Sequence, residues 1–363
     1  MNESSIPASS AGDMSAPNAA ISRDAAISRD AAITRDAAIT PDAAITPDAV
    51  DTAISRDAVG KWTDRFTREE IRELLVIEDW RSWVSVIWNW AVVFAAMAMV
   101  AAWPGVLTIL AALVIIGGRQ LGMSIIMHEA AHRTLFNNRR LNDFVGNWLA
   151  AYAVWTDLTP YRPYHLRHHA KNWTADDPDL DLATPFPVTR RSLARKIWRD
   201  LSGQTGRKRF VATLRRDLSM SAGKSKRQGQ SAWSALRGVI ITNLALLALL
   251  AAAGHPELYL LWIGAWMTTY SLVMRIRAIA EHSMPGRPES AFHNARTTIA
   301  SWWERFLLAP NRVNYHLEHH LLMTVPHYKL PRFHRMLRER GLLDDANVAH
   351  GYAEVLALAS SKA

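Results

Sequence analysis

Two long apolar runs, joined by only two residues, constrain this chain more than any other feature of its sequence. The first run, WVSVIWNWAVVFAAMAMVAAW, extends from Trp83 to Trp103 and carries no charge over 21 residues. A helix of about 20 apolar residues crosses the hydrocarbon core of a bilayer. After Pro104-Gly105 the chain continues as VLTILAALVIIGG and then reaches Arg119. The pattern therefore predicts a transmembrane helical hairpin with a very short turn.

A second hairpin is predicted further along the chain. Val239–Ala253 and Leu258–Met274 are apolar, and residues 254–257 between them contain a glycine and a proline. Buried helices of a large soluble protein are the alternative, but apolar runs that alternate with basic stretches are typical of membrane proteins. The excess of 42 Lys and Arg over 33 Asp and Glu suits an anionic lipid surface. Since no nucleic-acid-binding motif accompanies these charges, nucleic acid is not an expected partner.

The distribution of charge predicts how the hairpins are oriented. Neither hairpin turn contains Lys or Arg, whereas the segment Arg190–Arg237 has 14 of them against only Asp200 and Asp217. Under the positive-inside rule both turns face outward, and the termini and long loops face the cytoplasm. The apolar segment Leu141–Thr156 is short for a span and is expected at the interface or packed against the hairpins. The predicted fold class is thus an all-α integral membrane protein with four transmembrane helices and a cytoplasmic helical cap.

Three regions are predicted along the chain. From Ile21 the sequence repeats in sixes, as ISRDAA or ITPDAA, and on a helix this period scatters the isoleucines over several faces. Residues 1–60 are therefore predicted to be a disordered tail, residues 61–345 the membrane domain, and residues 346–363 a C-terminal tail. Order is expected to begin near Thr67, which forms a capping box with Glu70.

Nine histidines are placed on the predicted cytoplasmic side of the hairpins. They occur in the motifs HEAAH, HLRHH and HLEHH and as one single residue, and they are His128, His132, His165, His168, His169, His282, His316, His319 and His320. One metal ion takes four to six ligands, so nine imidazoles indicate two ions with open positions. Because the chain has no cysteine, any metal must be held by His, Asp or Glu. Imidazole-rich ligation suits iron, copper or zinc.

Two other functions remain possible for these histidines. HEAAH also fits the zinc site of a metalloprotease with Glu129 as general base, and such a site needs only one further ligand. A histidine-lined metal transporter is the non-enzymatic alternative, but its ligands should lie within the spans rather than beyond their ends. The protease alternative also leaves the two triplets of histidines unexplained.

The three motifs, in this order and with two hairpins, resemble the membrane fatty acid desaturase family. The stretch VPHYKLPRFH, Val325–His334, also resembles the family sequence after the third motif. The resemblance implies that the nine histidines ligate two iron ions and that O2 is a co-substrate. It implies a lipid acyl chain as substrate and a separate electron donor, ferredoxin-like or cytochrome-like, since this chain has neither cysteines nor a haem-attachment motif. The same motifs serve desaturation and the hydroxylation or ketolation of fatty acyl, sphingolipid or carotenoid chains, and the sequence does not separate them.

Carboxylates near the motifs are candidates to orient the metal-binding imidazoles. Such groups accept hydrogen bonds from the ring nitrogen that does not bind the metal. The candidates are Glu129, Asp177, Asp179, Glu281 and Glu318. Some acyl-CoA desaturases carry Asn four residues before the single histidine, and this chain has Ala278 there. Arg119 is expected to extend to the membrane interface rather than to bind an anionic headgroup.

Overall fold

The structure is a computed structural model that describes residues 62–221 and 232–362. The predicted disordered tail and its hexapeptide repeat lie outside the described residues. The first described elements are a 3₁₀ turn, Thr63–Arg65, and helix α1, Arg68–Leu75. The capping box is confirmed, because the Glu70 N–H donates to Thr67 Oγ1 at 3.2 Å and the Thr67 N–H donates to Glu70 Oε2 at 2.9 Å.

The first two predicted spans form helices α2, Asp79–Ala102, and α3, Val106–His132, which pack against each other. Both are long and apolar enough to cross a membrane. The two helices pack so closely that a Cβ atom on Gly122 would lie 1.9 Å from Asn89 Oδ1. Helix α3 is the central element, since its second half is buried among most of the other helices.

The sequence predicts that Arg119 extends to the membrane interface, but in the structure this residue is buried in the middle of α3. Its side chain is only 2% exposed, and its guanidinium donates to the Phe306 carbonyl and lies 4.9 Å from the Phe306 ring centroid. Phe306 belongs to the last turn of helix α12, Trp302–Leu307, where carbonyl groups lack helical partners. The positive charge of Arg119 is therefore stabilised by the negative end of α12 rather than by lipid headgroups or water at the membrane interface.

The segment after α3 packs against the second hairpin. It consists of α4, Arg139–Gly146, a π-helical segment, Asn147–Ala151, and a 3₁₀ turn, Tyr152–Val154. The indole N–H of Trp266 donates to the Val154 carbonyl at 2.9 Å. This apolar segment thus lies on the hairpins, which is one of the two placements expected from its length.

The second predicted hairpin differs from a simple pair of spans. Helix α9, Ala232–Ala252, is followed by α10, Tyr259–Met267, and α11, Thr269–His282, with a break at Thr268. The Thr269 hydroxyl donates to the Leu113 carbonyl of α3 at 2.5 Å, so this break is held by the first hairpin. Within the described residues two helices pass the length and hydropathy criteria for a span, and residues 236–252 form a shorter apolar helix.

The remaining helices lie between and after the hairpins. Between them are α5, Leu158–Lys171, α6, Leu180–Ala183, α7, Arg190–Leu201, and α8, Gln204–Ser221. After the second hairpin and α12 come a 3₁₀ turn, Pro310–Arg312, helix α13, His316–Leu321, a 3₁₀ turn, His327–Lys329, and α14, Leu330–Glu339. Strands β1, Thr297–Thr298, and β2, Val348–Ala349, pair in parallel. The last helix is α15, Tyr352–Ala359, and a 3₁₀ turn, Pro256–Leu258, precedes α10.

Residues 346–362, which the sequence assigns to a C-terminal tail, belong to the same compact unit as the helices. Tyr352, Val355 and Ala359 of α15 are part of the main hydrophobic core. The Val188 N–H donates to the Ala359 carbonyl at 2.8 Å. This end of the chain therefore packs into the fold rather than extending from it.

A second, smaller core supports the helix that carries HLEHH. It is formed by buried residues of the N-terminal segment, α13 and α14, among them Trp62, Leu74, Leu317, Leu321 and Phe333. Because α13 has only six residues, it is too short to be stable alone. Its position depends on this packing.

Candidate metal centre

HEAAH lies at the end of α3, where His128 and His132 are one turn apart. Arg133 adopts a left-handed conformation with φ 61° and ends the helix. Arg162 of α5 then caps it, since its guanidinium donates to the carbonyls of Ala130 at 2.9 Å and Ala131 at 3.1 Å. This contact joins the helix of the first motif to the helix of the second, and the sequence contains no signal for it.

Four helices, α3, α5, α11 and α13, bring all nine histidines together in two groups. Within each group the candidate ligand atoms lie within 4.8 Å of one another. The five-histidine group contains His128, His132, His165, His169 and His319. The four-histidine group contains His168, His282, His316 and His320.

Each triplet of histidines is divided between the two groups. In HLRHH, His165 and His169 join the five-histidine group and His168 joins the other. In HLEHH, His316 and His320 join the four-histidine group and His319 joins the other. Helical geometry explains this pattern, because positions i and i+4 differ by about 40° while i+3 lies about 100° from i+4. Two adjacent sites can therefore share each helix.

The ring nitrogens converge more closely than hydrogen bonding alone can account for. His165 Nε2 lies 2.9 Å from His132 Nε2 and 3.1 Å from His169 Nε2. A ring nitrogen either donates one hydrogen or offers one lone pair, so it cannot satisfy two such neighbours. In the other group, His282 Nε2 likewise lies 2.8 Å from His316 Nε2 and 3.1 Å from His168 Nε2. This arrangement fits a shared cation at the centre of each group.

His128 points to the same conclusion. It is only 3% exposed, and neither of its ring nitrogens has a hydrogen-bond partner. Such unpaired buried groups cost roughly 1–3 kcal/mol each, so they normally have a function or a bound ion. Its ring centroid lies 4.4 Å from those of His165 and His319, within the five-histidine group.

Burial prepares the imidazoles outside the apolar spans for metal binding. Desolvation disfavours the charged imidazolium, and nearby histidines add to this effect. The pKa is therefore well below the ordinary value of 6.5 for His165, His169, His316, His319 and His320. Neutral imidazole is the form that binds a metal.

Asp177 is the candidate carboxylate that contacts a motif histidine directly. Its Oδ1 accepts from His168 Nδ1 at 2.8 Å, and both side chains are buried. Burial alone would raise the pKa of Asp177, but the His168 bond and the backbone N–H groups of Asp179 and Trp173 hold it below the ordinary value. Since Nδ1 of His168 donates to the carboxylate, its Nε2 is free to face the group. Asp179 is more distant, with Oδ2 3.7 Å from the same nitrogen.

Glu129 and Glu281 lie beside motif histidines without hydrogen bonding to them. Glu129 Oε1 is 3.6 Å from His128 Nδ1, and Glu281 Oε1 is 3.6 Å from His316 Nδ1. Both distances exceed a normal hydrogen bond. Glu281 is held by Arg277, whose Nε donates to it at 2.5 Å.

Glu318 lies inside HLEHH and was predicted to accept a hydrogen bond from a metal-binding imidazole, but it has other partners in the structure. It contacts none of the nine histidines through a hydrogen bond and instead accepts from His334 Nδ1 at 2.6 Å and from the Thr297 hydroxyl. The side chain is completely buried. Glu318 thus ties α13 to α14 and β1, and the sequence did not reveal His334 as its partner.

Backbone carbonyls also orient the site. His282 Nδ1 donates to the Asn294 carbonyl at 3.2 Å, which leaves its Nε2 for the four-histidine group. The indole N–H of Trp173 donates to the same oxygen at 3.0 Å. Because every residue carries a carbonyl, no sequence signal distinguishes this one.

A small cavity lies between the two groups. Its walls include His128 and His319 of one group and His316 of the other. The apolar part of the wall is formed by Ile125, Val313 and Leu330, and the polar part by Glu129, Asn311 and His327. Residues of both histidine groups therefore line the same cavity.

Two adjacent groups of buried imidazoles at the ends of apolar helices define this protein as a candidate dinuclear metal enzyme. The chain belongs to the fatty acid desaturase family, whose model matches residues 104–352. The resemblance inferred from the three motifs is therefore confirmed. This membership replaces the zinc-protease interpretation of HEAAH.

Several characterised desaturases are similar to this chain. Dihydrorhizobitoxine desaturase of Bradyrhizobium elkanii is 29% identical over 230 residues, which are 60% of this chain and 64% of that protein. The sn-1 oleoyl-lipid 12-desaturase of a Picosynechococcus species is 24% identical over 74% of this chain and 80% of its own length. The chloroplastic omega-6 fatty acid desaturase of Brassica napus is 24% identical over 74% of this chain and 62% of its own length.

Proposed function

We propose that this chain is an O2-dependent desaturase of a lipid acyl chain whose two iron ions are held by the five-histidine and four-histidine groups. The observation that carries the proposal is the convergence of nine imidazoles, six of them buried and three part-buried, on two adjacent centres. When bound there, iron supplies the redox chemistry that activates O2 against a C–H bond. Five and four imidazoles leave coordination positions free, as such a reaction requires.

The choice of iron rests on the donor set and the family. A site built from imidazoles without thiolates suits iron, copper or zinc rather than magnesium or calcium. Zinc has no redox chemistry, so it does not serve an oxidoreductase in this role. Among the remaining metals, the desaturase resemblance favours iron.

The protein's own part in the reaction is to position one methylene group and to exclude water. Ile125, Val313 and Leu330 form an apolar wall of the cavity beside the histidines. Accurate placement of the reacting carbon supplies much of the rate in such sites. It also decides the product, because a second hydrogen loss gives an alkene, whereas addition of oxygen gives an alcohol.

We propose both that the substrate is a lipid acyl chain and that the protein lies in the membrane. Two of the relatives named above are called an oleoyl-lipid desaturase and a fatty acid desaturase, and we infer a lipid acyl chain as the substrate of this protein. The outer face of α2 supports a membrane location, since Ile87 is 62% exposed and Val84 and Trp88 are also exposed. We propose four membrane-crossing segments in two hairpins, with both termini and the active site on the cytoplasmic side. Electrons come from a separate ferredoxin-like or cytochrome-like donor.

Lipid mass spectrometry of cells that express the chain tests this function. The expected result is an acyl species lighter by two hydrogens that disappears in the His316→Ala variant. The matched control is His255→Ala, because His255 lies exposed in the outer turn and pairs with Glu257 rather than with the motif histidines. An acyl species heavier by one oxygen would instead make the protein a hydroxylase.

Metal analysis of the purified protein is the second part of the test. We expect about two iron ions per chain, and fewer in His316→Ala. A chain that binds one zinc and no iron, and leaves lipids unchanged, would overturn the proposal.

A further inference from the structure

We propose that Trp173 is the residue through which electrons from a one-electron carrier protein enter the four-histidine group. This inference rests on the proposed function, since it requires a metal ion at that group. Trp173 lies in the loop after α5, two residues beyond the end of the helix that carries HLRHH. Trp173 is partly exposed, so another protein can contact it.

The indole side chain makes the first connection to the site. Its N–H donates to the Asn294 carbonyl at 3.0 Å, and the same oxygen accepts from His282 Nδ1 at 3.2 Å. Two hydrogen bonds therefore join the indole to a histidine of the four-histidine group. Electron tunnelling decreases steeply with distance, and hydrogen bonds couple donor and acceptor better than gaps of the same length.

The backbone of Trp173 makes a second connection. Its N–H donates to Asp177 Oδ2 at 3.0 Å, and Asp177 Oδ1 accepts from His168 Nδ1 at 2.8 Å. Trp173 is thus linked through short contacts to two of the four histidines. In both of those rings Nδ1 donates outward, which leaves Nε2 to bind the metal.

The two groups are close enough for an electron to reach both. The rings of His169 and His320, which belong to different groups, stack with centroids 4.2 Å apart and planes inclined at 24°. An electron that arrives at the four-histidine group therefore lies beside the five-histidine group. A single entry point can serve both metal positions.

The proposed partner is a one-electron carrier protein of the ferredoxin or cytochrome type. This chain has no cysteine for an iron–sulfur cluster. With iron held by His168, His282, His316 and His320, each step would transfer one electron from the reduced carrier to a ferric ion and leave it ferrous. The indole only bridges the two, so it neither gains nor loses an electron or a proton.

The absence of cysteine makes a direct test possible. A Thr174→Cys variant of the full-length iron-loaded protein can be labelled at one site with a ruthenium polypyridyl photosensitiser, because Thr174 is exposed next to Trp173. A laser flash with a reductive quencher then injects one electron, and the rate of ferric-iron reduction is followed optically. This measurement needs neither the natural carrier nor the substrate.

The rate is compared between the labelled protein and the same protein with Trp173→Leu. We expect about a tenfold slower reduction in Trp173→Leu and an intermediate rate in Trp173→Phe, which keeps the ring and loses the N–H. The control is Trp198→Leu on the same labelled background, since Trp198 is 67% exposed and lies on α7. Its rate should not change.

Two further measurements separate the possible outcomes. Iron content and slow reduction by dithionite should be the same in all variants. Equal flash-induced rates with and without the indole would overturn the proposal, and so would a parallel loss of iron, which would make Trp173 an anchor of the loop. If the unsubstituted chain binds no iron, the proposed function itself fails.

Discussion

At the scale of single residues, the second nitrogen of each imidazole matters as much as the one that faces the centre. His168 and His282 each donate Nδ1–H to a fixed acceptor, the Asp177 carboxylate and the Asn294 carbonyl. Such contacts set both the tautomer and the orientation of the ring. The carboxylate is the stronger of the two acceptors, because it is charged and buried.

We expect Asp177→Ala to weaken iron binding by roughly 10–100-fold, the usual effect of removing such an outer partner. His168 would lose its charged acceptor, and its ring would no longer be fixed. Competition with a calibrated chelator measures the affinity. Asp176→Ala is the matched control, since Asp176 is the exposed neighbouring carboxylate. Equal affinities in the two variants would contradict the assignment.

Glu318 offers a second test at this scale. Because its carboxylate accepts from His334 and the Thr297 hydroxyl, Glu318→Gln keeps an acceptor for His334 while losing the charge. We expect the iron content to be unchanged and the melting temperature in detergent to fall, since a charged hydrogen bond contributes about 1.5–3 kcal/mol. Loss of one iron ion from a stable protein would instead identify Glu318 as a ligand.

At the scale of the elements, the glycines of α3 decide how close the other helices come. A Cβ atom on Gly117 would lie 2.3 Å from Thr269 Oγ1, and one on Gly118 would lie 2.7 Å from the Leu307 carbonyl oxygen. Both distances are shorter than a van der Waals contact, so neither glycine can be replaced by a larger residue unless the helices move apart. Helix α11, which ends at His282, and helix α12 can therefore approach α3 this closely only because Gly117 and Gly118 have no side chain.

Gly122→Ala tests this packing. The new methyl group would overlap Asn89 Oδ1, which is buried and fixed between α2 and α3. Such overpacking costs about 1–3 kcal/mol, so the thermal unfolding temperature in detergent should fall by several degrees. Gly105→Ala should have little effect, because the nearest atom to its Cβ is Thr108 Oγ1 at 3.8 Å. A stable Gly122→Ala protein would show that the two helices can move apart.

At the scale of the whole molecule, the proposed topology places the outer hairpin turn and the histidine motifs on opposite sides of the membrane. The turn at residues 254–257 has no Lys or Arg, whereas α7 and α8 between the hairpins are rich in both. Positive charge near the ends of the spans keeps a loop in the cytoplasm. The same orientation gives a cytoplasmic electron carrier access to Trp173.

Single introduced cysteines test the orientation, and because the chain has no cysteine of its own, no other residue is labelled. In intact cells we expect a membrane-impermeant maleimide to label His255→Cys and to leave Thr174→Cys unlabelled until the cells are lysed. His255 lies in the predicted outer turn and Thr174 in the predicted cytoplasmic cap. The reverse pattern of labelling would invert the topology, and labelling of both would exclude a membrane between them.

The sequence by itself determined what depends on local spacing. HLRHH and HLEHH place three imidazoles on one side of a helix because the α-helix repeats every 3.6 residues, and the length of each apolar run predicts a span in the same way. The capping box at Thr67 is equally local. These features need no knowledge of what lies elsewhere in the chain.

Only the tertiary structure decided which groups meet across long distances in the chain. It decided which histidines of different helices share a centre, buried Arg119 against the end of α12, interrupted the fourth predicted span at Thr268, and brought the Asn294 carbonyl to His282. Contacts of this kind depend on how helices pack against each other. The periodicity of one segment contains no information about its partners.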